Sequence, residues 1–133
     1  MKVARQLLLI RLLPVLFVVL AAGFWFADVE DGGAYVPRNL LPLLVLFLLA
    51  LLTLYRGGGK WSGGGMRLPL GTIGFAIPAL GLSLYLHYAY AVNLNDMFGD
   101  AQYPGQVFRF LPLYTLVAGG LGFAIGWIVG RNV

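Results

Sequence analysis

The chain contains no cysteine. That excludes disulfides, Cys-ligated metals, iron–sulfur clusters and thiol chemistry. Charge is scarce too, at 11% of residues, where a soluble domain carries about 25%. There is one histidine, so a haem would need an axial partner from another chain. No Ser–His–acid set, paired carboxylates or HExxH run is present, which argues against an enzyme. Neither a cofactor nor a metal ion is expected.

Apolar surface is what the chain has in excess. It is 60% hydrophobic with a mean hydropathy of +0.86, above the roughly 45–50% of soluble proteins. A domain of 133 residues has too much surface for its volume to hide this in a soluble core. Lipid must therefore act as part of its solvent. Four apolar segments, at 7–27, 40–55, 68–92 and 107–129, fit spanning helices of about 17–25 residues. The predicted fold is all-α: one membrane domain over residues 1–133, folded as a four-helix bundle. The second span is short, about 24 Å by helical rise, so Asn39, Arg56 or a thinned bilayer must make up the difference. Pro78 is internal to the third span and predicts a bend. Lys2, Arg5, the apolar run and Ala21-Ala22-Gly23 follow the order of a signal peptide. We read them as a retained first span, with residues 1–11 either extending it or lying flat on the surface.

The few charges are segregated. Lys2, Arg5, Arg11, Arg56, Lys60, Arg67 and Arg131 fall on one side of the four spans. All five acids (Asp28, Glu30, Asp31, Asp96, Asp100) fall on the other, with Arg38 and Arg109. The positive-inside rule then places both termini and the glycine-rich loop 56–67 in the cytoplasm, and the acidic loops 28–39 and 93–106 outside. The expected location is the inner membrane of a bacterium. Arg11 lies inside the first span and should snorkel to the headgroups. With it, Trp25, Arg56, Trp61, Arg67 and Trp127 are the expected interfacial anchors. Basic residues placed this way fit lipid headgroups and not nucleic acid. The loop 56–67 holds two triglycines, which predict a flexible linker. Lys60 among glycines invites a phosphate-loop reading, but the Gly-Lys-Ser/Thr spacing is absent.

Three features could carry function. Gly122, Gly126 and Gly130 are spaced by four, with Ala118 extending the row. Such a glycine zipper permits close backbone approach, to a helix of the same bundle or to another subunit. His87, beside Tyr88, is the candidate cofactor contact, because ionisable residues within spans are functional candidates. It lies about 28 Å along its span by helical rise, so an interfacial histidine among Tyr85, Tyr88 and Tyr90 is the plainer reading. The acids of 28–31 with Asp96 and Asp100 could gather a divalent cation. No EF-hand spacing is present, and a docking surface is the plainer reading.

Pro37-Arg38-Asn39-Leu40-Leu41-Pro42 leads directly into the leucine-rich second span, which ends at Arg56. Over about residues 7–56 this resembles the small membrane subunit (the TctB family) of the tripartite tricarboxylate transporters. The resemblance implies a large substrate-translocating partner and a binding protein visiting the outer face.

The expected function is a non-catalytic accessory or anchoring subunit of a larger membrane complex, a secondary transporter first. No span contains a carboxylate, where ion-coupled transporters bury such groups. The alternatives are a self-assembling pore or small transporter built on the glycine face, and a cofactor-associated subunit of an electron-transfer complex. The expected partners are the bilayer, a larger integral membrane subunit or a second copy, and an outer-face docking protein.

Overall fold

The computed structural model describes residues 2–29, 36–63, 65–91 and 106–131. These form helices α1 (Lys2–Val29), α2 (Val36–Asn39), α3 (Leu41–Arg56), α4 (Arg67–Ala91) and α5 (Gln106–Arg131), with no strand among the described residues. Four helical stretches, Arg5–Val29, Pro37–Arg56, Arg67–Ala89 and Phe110–Arg131, are long and apolar enough to cross a membrane. The all-α membrane bundle read from composition is the observed architecture.

Two boundaries sharpen the expectation. The first helix begins at Lys2 and runs unbroken past Arg11, so residues 2–11 extend the span and do not form a separate surface segment. The second span gains length from α2, which turns through Leu40 into α3, giving 20 residues from Pro37 to Arg56. That is about 30 Å of helical rise, enough for the hydrocarbon core. Pro42 stands in the first turn of α3, where its missing N–H costs no intrahelical bond.

The glycine-rich loop is folded, contrary to the flexible-linker reading. Gly58 has φ +64°, the left-handed conformation that glycine adopts without strain. Around it the Gly59 N–H donates to the Leu54 carbonyl at 2.8 Å and the Gly58 N–H to the Tyr55 carbonyl at 3.3 Å. These are the two bonds of a Schellman cap, which satisfies the last carbonyls of α3. The chain then closes on itself through Lys60 N–H to Gly57 O and Gly63 N–H to Lys60 O.

The most extensive packing is between antiparallel α4 and α5. A Cβ added at Gly122 would run into the Gly74 carbonyl, one at Gly126 into the Leu70 carbonyl, and one at Gly130 would lie 2.6 Å from the Met66 oxygen. Each step of four back along α5 matches a step of four forward along α4. By the same register Ala118 falls opposite Pro78. Gly74 returns the contact, since its own Cβ would strike the Gly122 carbonyl. Pro78 has no N–H to give the Gly74 carbonyl its i+4 helical bond, and this freed oxygen faces the Gly122 Cα. Phe75 fills the space over Gly119, and Phe123 the space over Gly71. The partner of the zipper is thus a helix of the same chain, with glycines of its own.

Helix α3 packs on this pair through Leu46 against Phe75 and Ala79. Helix α1 packs chiefly on α3, through Leu12 with Ala50 and Leu54. Large apolar side chains remain exposed on all four long helices, among them Phe17, Leu48, Ile77 and Leu121. They form the surface that meets lipid.

Gly122→Ala should destabilise the bundle by about 1–3 kcal/mol, the cost of overpacking a close contact. Gly120 has open space around its Cα, so Gly120→Ala should be neutral or stabilising by up to about 1 kcal/mol. Unfolding in mixed micelles measures both, and equal behaviour of the two variants would contradict the seam.

Candidate functional site

Most polar side chains in the spans have an internal partner within the bundle. Thr53 on α3 and Thr72 on α4 meet at 3.0 Å, both buried. The Thr53 hydroxyl gives its single proton to the Leu49 carbonyl at 2.7 Å, so the Thr72 hydroxyl is the donor between the two helices. Thr115 on α5 is fully buried and shares its proton between the Leu111 and Pro112 carbonyls, at 3.0 and 3.1 Å. Such back-bonding lets a hydroxyl enter an apolar helix without an orphaned donor.

His87 forms the densest polar and aromatic cluster, at the end of the bundle where α1 finishes and α4 approaches its C-terminus. Its ring is 0% exposed and stacks on Phe26, with centroids 3.9 Å apart and planes 10° apart. Trp25 tilts against both rings, at 6.1 Å from His87 and 5.9 Å from Phe26. The Nδ1 atom lies 2.7 Å from the Ser83 carbonyl. A carbonyl only accepts, so Nδ1 carries a proton and donates it to Ser83. Ser83 is 1% exposed, and its own hydroxyl has no hydrogen-bond partner among the described residues. Asn39, on α2, is also buried.

The burial of His87 separates it from the tyrosines beside it in sequence. Tyr85 and Tyr88 stand on the exposed side of α4, each 53% exposed. Tyr88 follows His87 by one residue, roughly 100° round the helix, and does not share its pocket. His87 turns inward to aromatic residues of α1, with which it was not paired in the sequence. A stacked, fully buried ring joins α1 to α4.

The opposite end holds Arg11, Arg56, Lys60, Arg67 and Arg131. Arg11 donates from Nη1 to the Gly59 carbonyl at 3.0 Å. The expected snorkelling side chain therefore ties α1 to the folded loop. The Arg67 guanidinium lies over the Trp127 ring at 5.4 Å, and Trp127 stacks on Phe123 at 5.8 Å. This places a cation–π contact at the end of the α4–α5 seam, level with Gly130. Arg56 is exposed in the last turn of α3, and Trp61 is at the surface of the loop. Trp25 is half-buried against the His87 cluster, more a packing residue than a free anchor.

Among the described residues no three His, Asp or Glu side chains gather as a metal site. Of the residues considered for cation binding, Glu30, Asp31, Asp96 and Asp100 lie outside the described residues.

Known proteins add no identity. No family model, no curated protein and no solved structure matches the chain. Site assignment therefore rests on the geometry. Sequence reading singled out His87, the glycine row and the aromatic anchors. It missed Phe26 as the stacking partner of His87, the Thr53–Thr72 bond and the Arg11–Gly59 tie. Thr53, Thr72 and Arg11 had a signal, as polar or charged residues inside apolar spans, but their partners had none.

His87→Phe keeps the stacked ring while losing the bond to the Ser83 carbonyl, so it should cost less stability than removal of the ring beneath it. Phe26→Ala should cost about 3–5 kcal/mol. Thr72→Val should cost about 0.6–1.7 kcal/mol, the span measured for buried hydrogen bonds between membrane helices. Unfolding in bicelles compares all three, and a Phe26→Ala variant as stable as His87→Phe would contradict the stacked cluster.

Proposed function

We propose that the chain is a small accessory subunit that anchors or braces a larger integral membrane complex, with a secondary transporter as the first choice. The observation that carries this is the inward use of its polar groups. Thr53, Thr72, Thr115 and His87 each donate to groups of the bundle's own helices. His87, a fully buried ionisable side chain among the described residues, is closed in by Phe26 and Trp25. Ion- or proton-coupled translocation uses intramembrane ionisable groups along a wet path. A bundle that closes its polar groups inward suits a supporting role, in which a partner carries the substrate. The resemblance of residues 7–56 to the tricarboxylate-transporter small subunit points the same way. Within this proposal the membrane is the bacterial inner membrane, the basic end faces the cytoplasm and the acidic end receives any docking protein.

The glycine row no longer speaks for a self-assembling pore, because Gly122, Gly126 and Gly130 are occupied by α4. Exposed aliphatic faces on α1 and α3 remain for a partner helix.

Affinity purification of the tagged chain from its own membranes, followed by mass spectrometry, should recover a larger multispanning protein in stoichiometric amount. Deletion of the gene should lower transport by that complex. A chain that purifies alone from a host whose transport is unchanged would remove the proposal. Orientation is tested separately: reporters fused at Gly58 and Val133 should read cytoplasm and one at Gly32 the outside. An external Gly58 would reverse it.

A further inference from the structure

A groove runs between α1, α3 and α4 in the half of the bundle nearer the basic end. It has a volume of about 480 Å³ and almost wholly apolar walls, including Pro14, Val15 and Val18 of α1, Ala50 of α3, Thr72 of α4 and the loop residue Trp61. That volume falls in the roughly 300–1,000 Å³ range of sites that hold small organic molecules. The cations at its mouth are placed by local geometry. Arg11 precedes Pro14 and Val15 by three and four residues, so it shares their helical face one turn nearer the end. Its Nη1 is held by Gly59, and Gly59 is followed directly by Lys60 and the lining residue Trp61.

Arg11 is a half-buried guanidinium within an apolar span. Its partner among the described residues is a neutral carbonyl, and most of its five N–H donors remain to be satisfied. The one acid among the described residues, Asp28, sits near the other end of α1, roughly 25 Å away by helical rise. A cation at membrane depth without a counter-charge is costly, and a phosphate would supply charge-assisted hydrogen bonds. The groove below it needs hydrocarbon. A phospholipid carries both groups on one molecule in that order, and Trp61 stands where an amphipathic ring marks the boundary between them.

We propose that this groove is a specific site for an anionic phospholipid of the leaflet at the basic end, with one acyl chain along α1 and α4 and its phosphate between Arg11 and Lys60. This goes beyond the accessory role and stands with or without a protein partner. The lipid would fill the gap beside the most loosely packed helix and fix α1 to the α3–α4 loop.

Native mass spectrometry of the full chain tests this, with dioleoyl phosphatidylglycerol against dioleoyl phosphatidylcholine and inorganic phosphate as the headgroup control. One phosphatidylglycerol should be retained in preference to phosphatidylcholine, and inorganic phosphate should not compete. Arg11→Gln should lower that preference about fivefold, the effect of one basic residue on an anionic headgroup, while Arg11→Lys retains it. Val18→Trp, at an exposed position lining the groove, should abolish retention with both cations intact. Arg131→Gln should leave the preference within about twofold, since a site differs from a general surface field. Equal retention of the two lipids would overturn the proposal. So would a loss in Arg131→Gln as large as in Arg11→Gln, or a lipid-free dimer cross-linked through Val18.

Discussion

The close approach of two backbones, α4 and α5, is the constraint from which the rest of the bundle follows. In lipid there is little hydrophobic force between helices, so association depends on packing and on polar contacts. Gly122 and Gly74 face each other with carbonyls directed at the opposite α-carbon, the arrangement in which Cα–H groups donate weakly to oxygen. Pro78 contributes by freeing the Gly74 carbonyl from its helical bond. Phe75 and Phe123 then fill the spaces over Gly119 and Gly71. With that pair fixed, α4 presents Thr72 to Thr53 and Phe75 to Leu46, which seats α3. Helix α1 comes last, held by the Leu12 cluster, by His87 on Phe26 at one end and by Arg11 on Gly59 at the other.

This hierarchy leaves a tightly packed pair and a loosely packed first helix. Apolar grooves flank α1 on both sides, one of about 490 Å³ against Leu40, Leu43 and Phe47 of the second span and one above the basic end. A bundle built this way has a tightly packed half and a loosely packed half. That division suits the proposed supporting subunit, with α4 and α5 as the frame and α1 and α3 as the faces offered to lipid or partner.

The membrane fold was legible because it is a matter of composition and length. The leucine runs of α3 and the scarcity of charge in the other spans leave lipid as the fitting solvent. The glycine row was legible as a packing face but not in its partner. Periodicity shows that Gly122, Gly126 and Gly130 share a side, while Gly71 and Gly74 lie fifty residues away with no repeat to announce them. The surroundings of His87 were not legible, because helical rise gives depth along the span and not rotation about it. Whether a ring faces lipid or Phe26 is decided by how α1 docks, a contact distant in sequence. The triglycine loop was misread for a related reason. Glycine composition is shared by flexible linkers and by tight caps, and only the bonds from Gly58 and Gly59 to α3 distinguish them.

The seam is best tested by solid-state NMR in bilayers on chain carrying 13C at the Gly74 carbonyl and the Gly122 α-carbon. A through-space contact between the two sites should appear and keep its intensity per labelled molecule when the sample is diluted with unlabelled protein. Loss of the contact on dilution would mean that the glycines pair different chains, and its absence at any dilution would mean that α4 and α5 do not meet there.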